Sequence, residues 1–455
     1  MRHIRFSLAF FVLVIGSCDR AIAQDWASMH MPGDHAGWGD LYMDEVTGTL
    51  YTTGLHQLNL NGSYGVFAYN GAQWDTIGLF AQGFPKAILR YNDTLLVAGG
   101  FYSPTDGMPD RIAYLDSSGW NPYGEFDGVI NRLRIIDGEL YAVGSFELVD
   151  GQACDGIVKR MGGHWEPVGD FGDVLNAGLY DVIKYNGDLV ACGNMGVAGP
   201  SEDDVFIYEN GTWSALGGGL LGSVSLAFAM AIYNNELIIC GQFYLGAGNA
   251  GHCIMRWNGS IWQPLGVGIT DSSDSYQAAP STFALAVQEG KLFVGGGFWF
   301  AGHVPAQGVA VWDGDVWCGL GAPLPDGVFD LEFYNDTLVA LCAGNTVDGQ
   351  YNSGVVRYLH TTYDDTCSLG TGMAIHEQAA EPFAAYAVDG QLHVHGLRDG
   401  AWPFSIIAPS GQSVRAGQVL TGGGRCAPIP IGTLGPGVYL LRITGCGAVR
   451  FTVGD

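Results

Sequence analysis

Six segments hold the residues whose types could do chemistry. They are FYSPTDGMPD (101–110), FELVDGQACD (146–155), MGVAGPSEDD (195–204), FYLGAGNAGH (243–252), FWFAGHVPAQ (299–308) and GNTVDGQYNS (344–353). Aromatic residues come early in them, as Phe101, Tyr102, Phe146, Tyr244, Trp299 and Phe300. Acids come later, as Asp106, Asp110, Asp150, Asp155, Asp203 and Asp204. Rings that cover the C–H faces of a sugar, beside carboxylates that accept its hydroxyl hydrogens, are what glycan binding needs. The expected ligand-binding set is Tyr102, Asp106, Asp110, Asp150, Asp203, Tyr244 and Trp299. Phe101, Phe146 and Phe243 recur at one place in a repeated pattern and are expected in the core. Two carboxylates ~5–10 Å apart could instead hydrolyse a glycosidic bond. Sequence does not fix that separation, so binding and catalysis both stay open.

Metal and nucleophile signals are weaker. Asp271-Ser272-Ser273-Asp274-Ser275 is the nearest thing to a calcium loop, but it lacks the Gly and Glu of an EF-hand and reads as a loop. His393 and His395 share one side of a strand and read as surface or packing residues. His252, His303 and Cys253 could belong to a copper-radical site, yet nothing in the sequence joins them. No nucleophile elbow, zinc-protease helix or phosphate loop occurs. The sequence calls for no cofactor and names no metal ligands; calcium is the one ion its acidic surface could gather.

The chain has 19 Lys+Arg against 45 Asp+Glu, a formal net charge of −26. Such a surface repels nucleic acid and anionic membrane, and neither is an expected partner. Residues 1–23 read as a signal peptide: Arg2 and Arg5, an apolar run at 6–16, then Ala21-Ile22-Ala23. The apolar run is too short to cross a bilayer, which takes ~20 residues. A lipoprotein-type cleavage before Cys18 is the alternative. Cys192, Cys240 and Cys342 recur at an apolar strand position and read as small core residues. Cys426 and Cys446 could pair in an oxidising compartment.

The elements that must position these loops are short strands. Turn signals fall at Gly48, Asn92, Asp137, Asn186, Asn234, Glu289 and Asn335, each inside an apolar run. Asn-Gly, Asp-Gly and similar pairs accept the positive φ of two-residue hairpins. A second series of turns precedes Trp74, Trp120, Trp165, Trp213, Trp262 and Trp317, which are spaced 45–55 residues apart. Four strands per repeat at that period mean radially arranged sheets, a β-propeller of seven blades over residues 24–368. Tight turns should gather on one face and the longer loops on the other. The seventh copy lacks its Trp strand, and Asp25-Trp26-Ala27-Ser28-Met29 is expected to supply it beside residues 354–360. Residues 369–380 read as a linker, and 381–455 as a small Ig-like β-sandwich. The fold class is therefore all-β.

Residues 25–368 resemble kelch-like propellers of the galactose oxidase and Rax2 type, through LFVGGGFWFAG (292–302) and GVAVWDGDVWCGLG (308–321). That resemblance implies fold more than activity. Residues 381–455 resemble the C-terminal sorting domain of the Bacteroidota type IX secretion system. The matching pieces are Asp389-Gly390-Gln391-Leu392, Ser410-Gly411, Leu434-Gly435-Pro436-Gly437-Val438-Tyr439-Leu440 and the terminal strand at 449–453. No Pro-Asn-Pro opens the domain, and the chain ends in Gly-Asp. The resemblance implies the type IX machinery as a partner and an extracellular or outer-membrane-surface address. Asp75-Thr76-Ile77, Asp93-Thr94-Leu95 and Asp336-Thr337-Leu338 match the O-glycosylation pattern of that phylum. The expected function is recognition of an extracellular glycan or surface protein. A secreted glycan hydrolase or oxidase, and a structural surface protein, are the alternatives.

Overall fold

The computed structural model describes residues 25–363 and 384–453, apart from short segments at 36, 58–63, 81–82, 103–110, 173, 198–203, 223–224, 271–279, 303, 325–326, 344–345, 348–349, 361–362, 389–390, 396–399, 409–412, 423–424, 436 and 444–446. The signal peptide, the linker, Asp106, Asp110, Asp203, His303, Cys446 and the Asp271–Ser275 run lie outside the described residues. Two compact units divide the chain, residues 1–369 and 370–455.

The first unit is a ring of antiparallel sheets, seven among the described residues once the short accessory ladders are set aside. We number the blades 1 to 7 along the chain. Their inner strands are Leu41–Asp44, Pro85–Tyr91, Val129–Ile136, Val174–Tyr185, Leu226–Tyr233, Ser281–Gln288 and Val328–Tyr334. Each inner strand packs against the next, and Val328–Tyr334 packs against Leu41–Asp44, which closes the circle. Blade 1 carries two extra short strands, Asp34–His35 and His56–Gln57.

Local turn chemistry explains the repeat. Asn92-Asp93, Asn234-Asn235 and Asn335-Asp336 all hold positive φ at both central positions, as do Asp137-Gly138, Asn186-Gly187 and Glu289-Gly290. This is the twist that suits a two-residue hairpin. Blade 1 departs from the expected tight hairpin. Its inner strand ends at Asp44 and a four-residue turn intervenes, with the Asp44 carboxylate accepting from Val46 N–H and the Thr47 hydroxyl. On the other face the connections are longer, and several carry ladders of their own. Leu148–Val149 pairs with Gln152–Ala153, and Thr346–Val347 with Gln350–Tyr351.

Tryptophans link the blades. The indole N–H of Trp120 donates to Ile77 O, of Trp165 to Tyr123 O, and of Trp213 to Val168 O, at 2.8, 3.2 and 2.7 Å. Trp262 and Trp317 repeat this toward Leu216 O and Leu265 O at 3.1 and 3.0 Å. The N-terminal strand Trp26–Ser28 pairs with Val355–Tyr358, Trp26 opposite Tyr358, and supplies the outer strand of blade 7. Trp26 then donates to Leu320 O of blade 6, and Trp74 of blade 1 donates to Met29 O just past the closing strand. Each blade thus carries one indole bonded to the blade before it. Phe101, Phe146 and Phe243 are fully buried among these blades, as are Cys192, Cys240 and Cys342. Burial pushes the Cys240 thiol up to about 12, which suits an inert core residue. Cys318 is disulfide-bonded.

The second unit, taken by itself, is two facing sheets. One orders Ala384–Val388, Gln391–His395 and Ile429–Pro430. The other orders Arg425–Cys426, Ser413–Gly422, Gly400–Ile407, Gly437–Ile443 and Gly447–Val453. Leu392, Val394, Phe404, Ile406, Val419 and Leu441 form its core.

Candidate functional site

The axis of the ring, where seven inner strands meet, holds the densest chemistry. Six of these strands carry a β-bulge at the same place: between Pro85 and Ala87, Ile130 and Arg132, Leu179 and Asp181, Ala227 and Ala229, Thr282 and Ala284, and Val328 and Asp330. A bulge inserts an unpaired residue and re-aims its side chain. The residues so placed are Lys86, Asn131, Tyr180, Phe228, Phe283 and Phe329. They lie at the end of the axis where the longer loops gather. Blade 1 has Gly39 there, where a Cβ would come within 2.1 Å of Thr53 O, and its neighbour Trp38 fills the axis instead.

These side chains meet around the axis. Ring centroids are 5.1 Å apart for Tyr180–Phe228, 5.4 Å for Phe228–Phe283 and 5.3 Å for Phe283–Phe329. Trp38 lies 4.7 Å from Phe283, 5.2 Å from Phe228 and 5.7 Å from Phe329. Blade 1 adjoins only blades 7 and 2, so a ring that reaches Phe228 of blade 5 has crossed the axis. Trp38 still keeps 37% of its surface exposed. The other part of the circle is polar. Lys86 Nζ donates to Asn131 Oδ1 at 2.8 Å, and Asn131 Nδ2 donates to Leu179 O at 2.8 Å. Burial holds the Lys86 ammonium below the usual lysine range.

Beneath this layer lies a network of buried charge. Asp330, Asp40 and Asp181 each accept a backbone N–H from the following blade, from Leu41 at 2.7 Å, Ile88 at 2.9 Å and Met230 at 3.0 Å. Arg134 grips Asp181 with two bonds, Nε to Oδ1 at 2.9 Å and Nη2 to Oδ2 at 2.8 Å. Burial works against the Asp181 charge, but Arg134 outweighs it and the pKa lies below the ordinary range. Asp40 and Asp330 face each other; burial, with the Asp330 charge, raises the pKa of Asp40, and burial raises that of Asp330. Arg132, whose Nη1 is 3.0 Å from Asp40 Oδ1, works against that rise in both. Burial also lifts Glu332 to about 7. The network opens into a cavity of about 930 Å³ that reaches the tight-turn end at Glu45, Val46, Asn335 and Asp336.

The loop residues expected from sequence stand elsewhere. Tyr102 lies under the Arg111 guanidinium, 5.8 Å from ring centroid to carbon. Asp150, exposed and with φ of 48°, accepts Glu125 N–H at 2.9 Å. Tyr244 sits beside His252 at 6.0 Å. Trp299 is 55% exposed. Each belongs to the loop between the two middle strands of a different blade, and among the described residues no hydrogen bond or ring contact joins any two of them. Acids that sequence placed in the loops also brace backbone: Asp204 accepts Met195 N–H and the Ser225 hydroxyl, and Asp155 accepts Phe171 N–H. His252 is fully buried and its Nδ1 takes Leu245 N–H. No group of three or more His, Cys, Asp or Glu able to hold a metal occurs among the described residues. The axial residues escaped the sequence reading, yet a signal exists. Lys86, Asn131, Tyr180, Phe228, Phe283 and Phe329 each stand six positions before a turn residue already recognisable as Asn92, Asp137, Asn186, Asn234, Glu289 and Asn335.

No protein-family model and no curated protein matches the chain. Solved structures similar to it include the extracellular domain of the hybrid two-component system BT4673 from B. thetaiotaomicron, at 10% identity and TM-score 0.28, with 91% of this chain and 74% of that chain covered. BBS1N in complex with ARL6DN is similar at 14% identity and TM-score 0.42, with 74% and 98% covered. An exo-β-1,3-galactanase from Phanerochaete chrysosporium is similar at 10% identity and TM-score 0.31, with 95% and 94% covered. At such scores the architecture rests on the sheets and the tryptophan circle themselves. No helix among the described residues is long and apolar enough to cross a membrane.

Proposed function

We propose that this chain is an exported binding or adhesion protein whose propeller recognises an extracellular glycan or surface-protein ligand at the long-loop end of its axis. The observation that carries this reading is the aromatic platform of Trp38, Phe283 and Phe329, partly open to solvent and centred where seven blades converge. Such a platform offers stacking area to the C–H face of a sugar or to an apolar side chain. A binding role is favoured over glycoside hydrolysis by the use made of the carboxylates. Asp40 and Asp330 are in hydrogen-bond contact and tied to backbone N–H groups, whereas hydrolysis needs ~5 Å or more between free carboxyls.

The C-terminal sandwich, in this reading, directs type IX export and surface delivery. In support of that role, Leu434 N–H closes a turn onto Ile431 O, Gly437–Ile443 is a strand, and Tyr439 Oη donates to Gly435 O at 2.9 Å. The disulfide at Cys318 and the acidic surface are in keeping with an extracellular life. The test is a screen of the full mature chain against a broad glycan panel and extracted surface proteins. Binding that Phe283→Ala abolishes supports the reading, and a folded chain that binds nothing in either set rejects it.

A further inference from the structure

Lys86 is a cation in an unexpected place. The chain carries a net charge of −26, yet among the described residues no carboxylate forms an ion pair with this ammonium. Its one hydrogen bond there runs to the neutral amide oxygen of Asn131, and the amide nitrogen of Asn131 is held by Leu179 O, which fixes that oxygen toward Lys86. An ammonium has three donors. One is used, on the side toward blade 3. A partly desolvated charge without a counter-ion is costly, and the other axial cations avoid that cost: Arg132 faces Asp40 and Arg134 grips Asp181.

Resting on the reading above, we propose that the axial site takes a carboxylated sugar, a uronic or sialic type of residue. Its ring would lie on the Trp38 platform and its carboxylate would meet the free donors of Lys86. The ring of bulged positions sets the two chemistries on one layer: aromatic from Tyr180 through Phe329, and cationic-polar at Lys86 and Asn131. The overall negative charge does not defeat this. Beyond ~8 Å it is screened at physiological salt, whereas a contact at ~3 Å in a recessed site is screened far less. Phe84, 5.7 Å from Lys86 Nζ, steadies the ammonium without neutralising it.

The experiment uses the full mature chain on an array in which each carboxylated oligosaccharide is printed beside its carboxyl-reduced form. The expected result is at least tenfold tighter binding of a carboxylated glycan than of its reduced partner, with Lys86→Gln erasing the difference. Lys86→Arg should restore most of it, which separates loss of charge from loss of fold. Equal binding of both forms, or discrimination that survives in Lys86→Gln, overturns the carboxylate assignment and leaves glycan binding standing. A folded chain that binds no glycan of either kind overturns both.

Discussion

The indole N–H of Trp26 donates to Leu320 O at 3.2 Å, across 294 positions of sequence. It stands where Trp74, Trp120, Trp165, Trp213, Trp262 and Trp317 stand in the other blades, so the first described strand completes the last sheet. Asp25 strengthens the seam: its Oδ2 accepts Ala322 N–H at 2.7 Å and its Oδ1 lies 2.7 Å from His360 Nε2. A ring closed this way ties its two ends together and covers the edge that Val355–Tyr358 would otherwise expose.

Removing that seam should be costly. Trp26→Ala leaves a cavity in a fully buried position and is expected to lower stability by about 3–5 kcal/mol, while Trp26→Phe keeps most packing and costs about 1–2 kcal/mol. Chemical denaturation of both variants checks this. Losses below about 0.5 kcal/mol for Trp26→Ala would mean the ring does not depend on its N-terminal strand.

Gly321 tests the same seam from the other side. It holds φ of 58°, and a Cβ there would come 2.4 Å from the Asp25 carboxyl carbon. Gly48 holds φ of 69° with nothing near it. Gly321→Ala should therefore cost more than Gly48→Ala, which carries only the backbone penalty of about 1 kcal/mol. Equal losses in thermal melts would show that Asp25 is not held against this turn.

The axial carboxyls make stability depend on pH in two directions. Burial lifts Asp40 to about 8 and Glu332 to about 7, and raises Asp330 as well. A carboxyl with a higher pKa in the folded state binds more protons there, so its contribution is full in acid and fades as pH rises through the folded value. Asp181 is lowered, and its contribution is present at neutral pH and lost only as pH falls through that depressed value. Stability should thus decline between about pH 5 and about pH 8, at up to about 1.4 kcal/mol per unit for each proton. Asp40→Asn should flatten that slope. Urea titrations across the range decide, and a slope that Asp40→Asn leaves unchanged would count against a raised Asp40 carboxyl.

Breaking the bidentate pair should cost more than most surface changes. Asp181 is fully buried, serves Met230 N–H and holds Arg134. Asp181→Ala leaves Met230 N–H without its acceptor, while Arg134, 38% exposed, turns to water, so the expected loss is about 1–3 kcal/mol. A loss under about 0.5 kcal/mol, measured by denaturation at neutral pH, would contradict the role assigned to it.

The scaffold was legible because its signals are local. Asn92-Asp93 or Asn234-Asn235 announces a hairpin from two residues alone, and Trp120 or Trp213 marks its strand without reference to anything distant. Even the closing strand could be read, since Asp25-Trp26 repeats the pattern that the seventh copy lacks. The axial layer was not legible for the opposite reason. Lys86, Asn131, Tyr180 and Phe329 face one another across blades, so each can differ chemically while holding one structural position. Asp40, Asp181 and Asp330 likewise serve the next blade's backbone, and no motif within one repeat reports that. Turn-bracing and ligand-binding aspartates have the same local sequence, so sequence alone does not separate the two roles; Asp150 braces Glu125 N–H.

One measurement separates an axial binding site from one on the loops between middle strands. Trp38→Ala and Trp299→Ala each remove one exposed indole, the first at the axis and the second on the loop between the middle strands of blade 6. Titration of both variants with whichever glycan or surface protein the unaltered chain binds should show at least tenfold weakening for Trp38→Ala and less than twofold for Trp299→Ala. The reverse pattern, with Trp299→Ala losing the ligand and Trp38→Ala keeping it, would contradict the account.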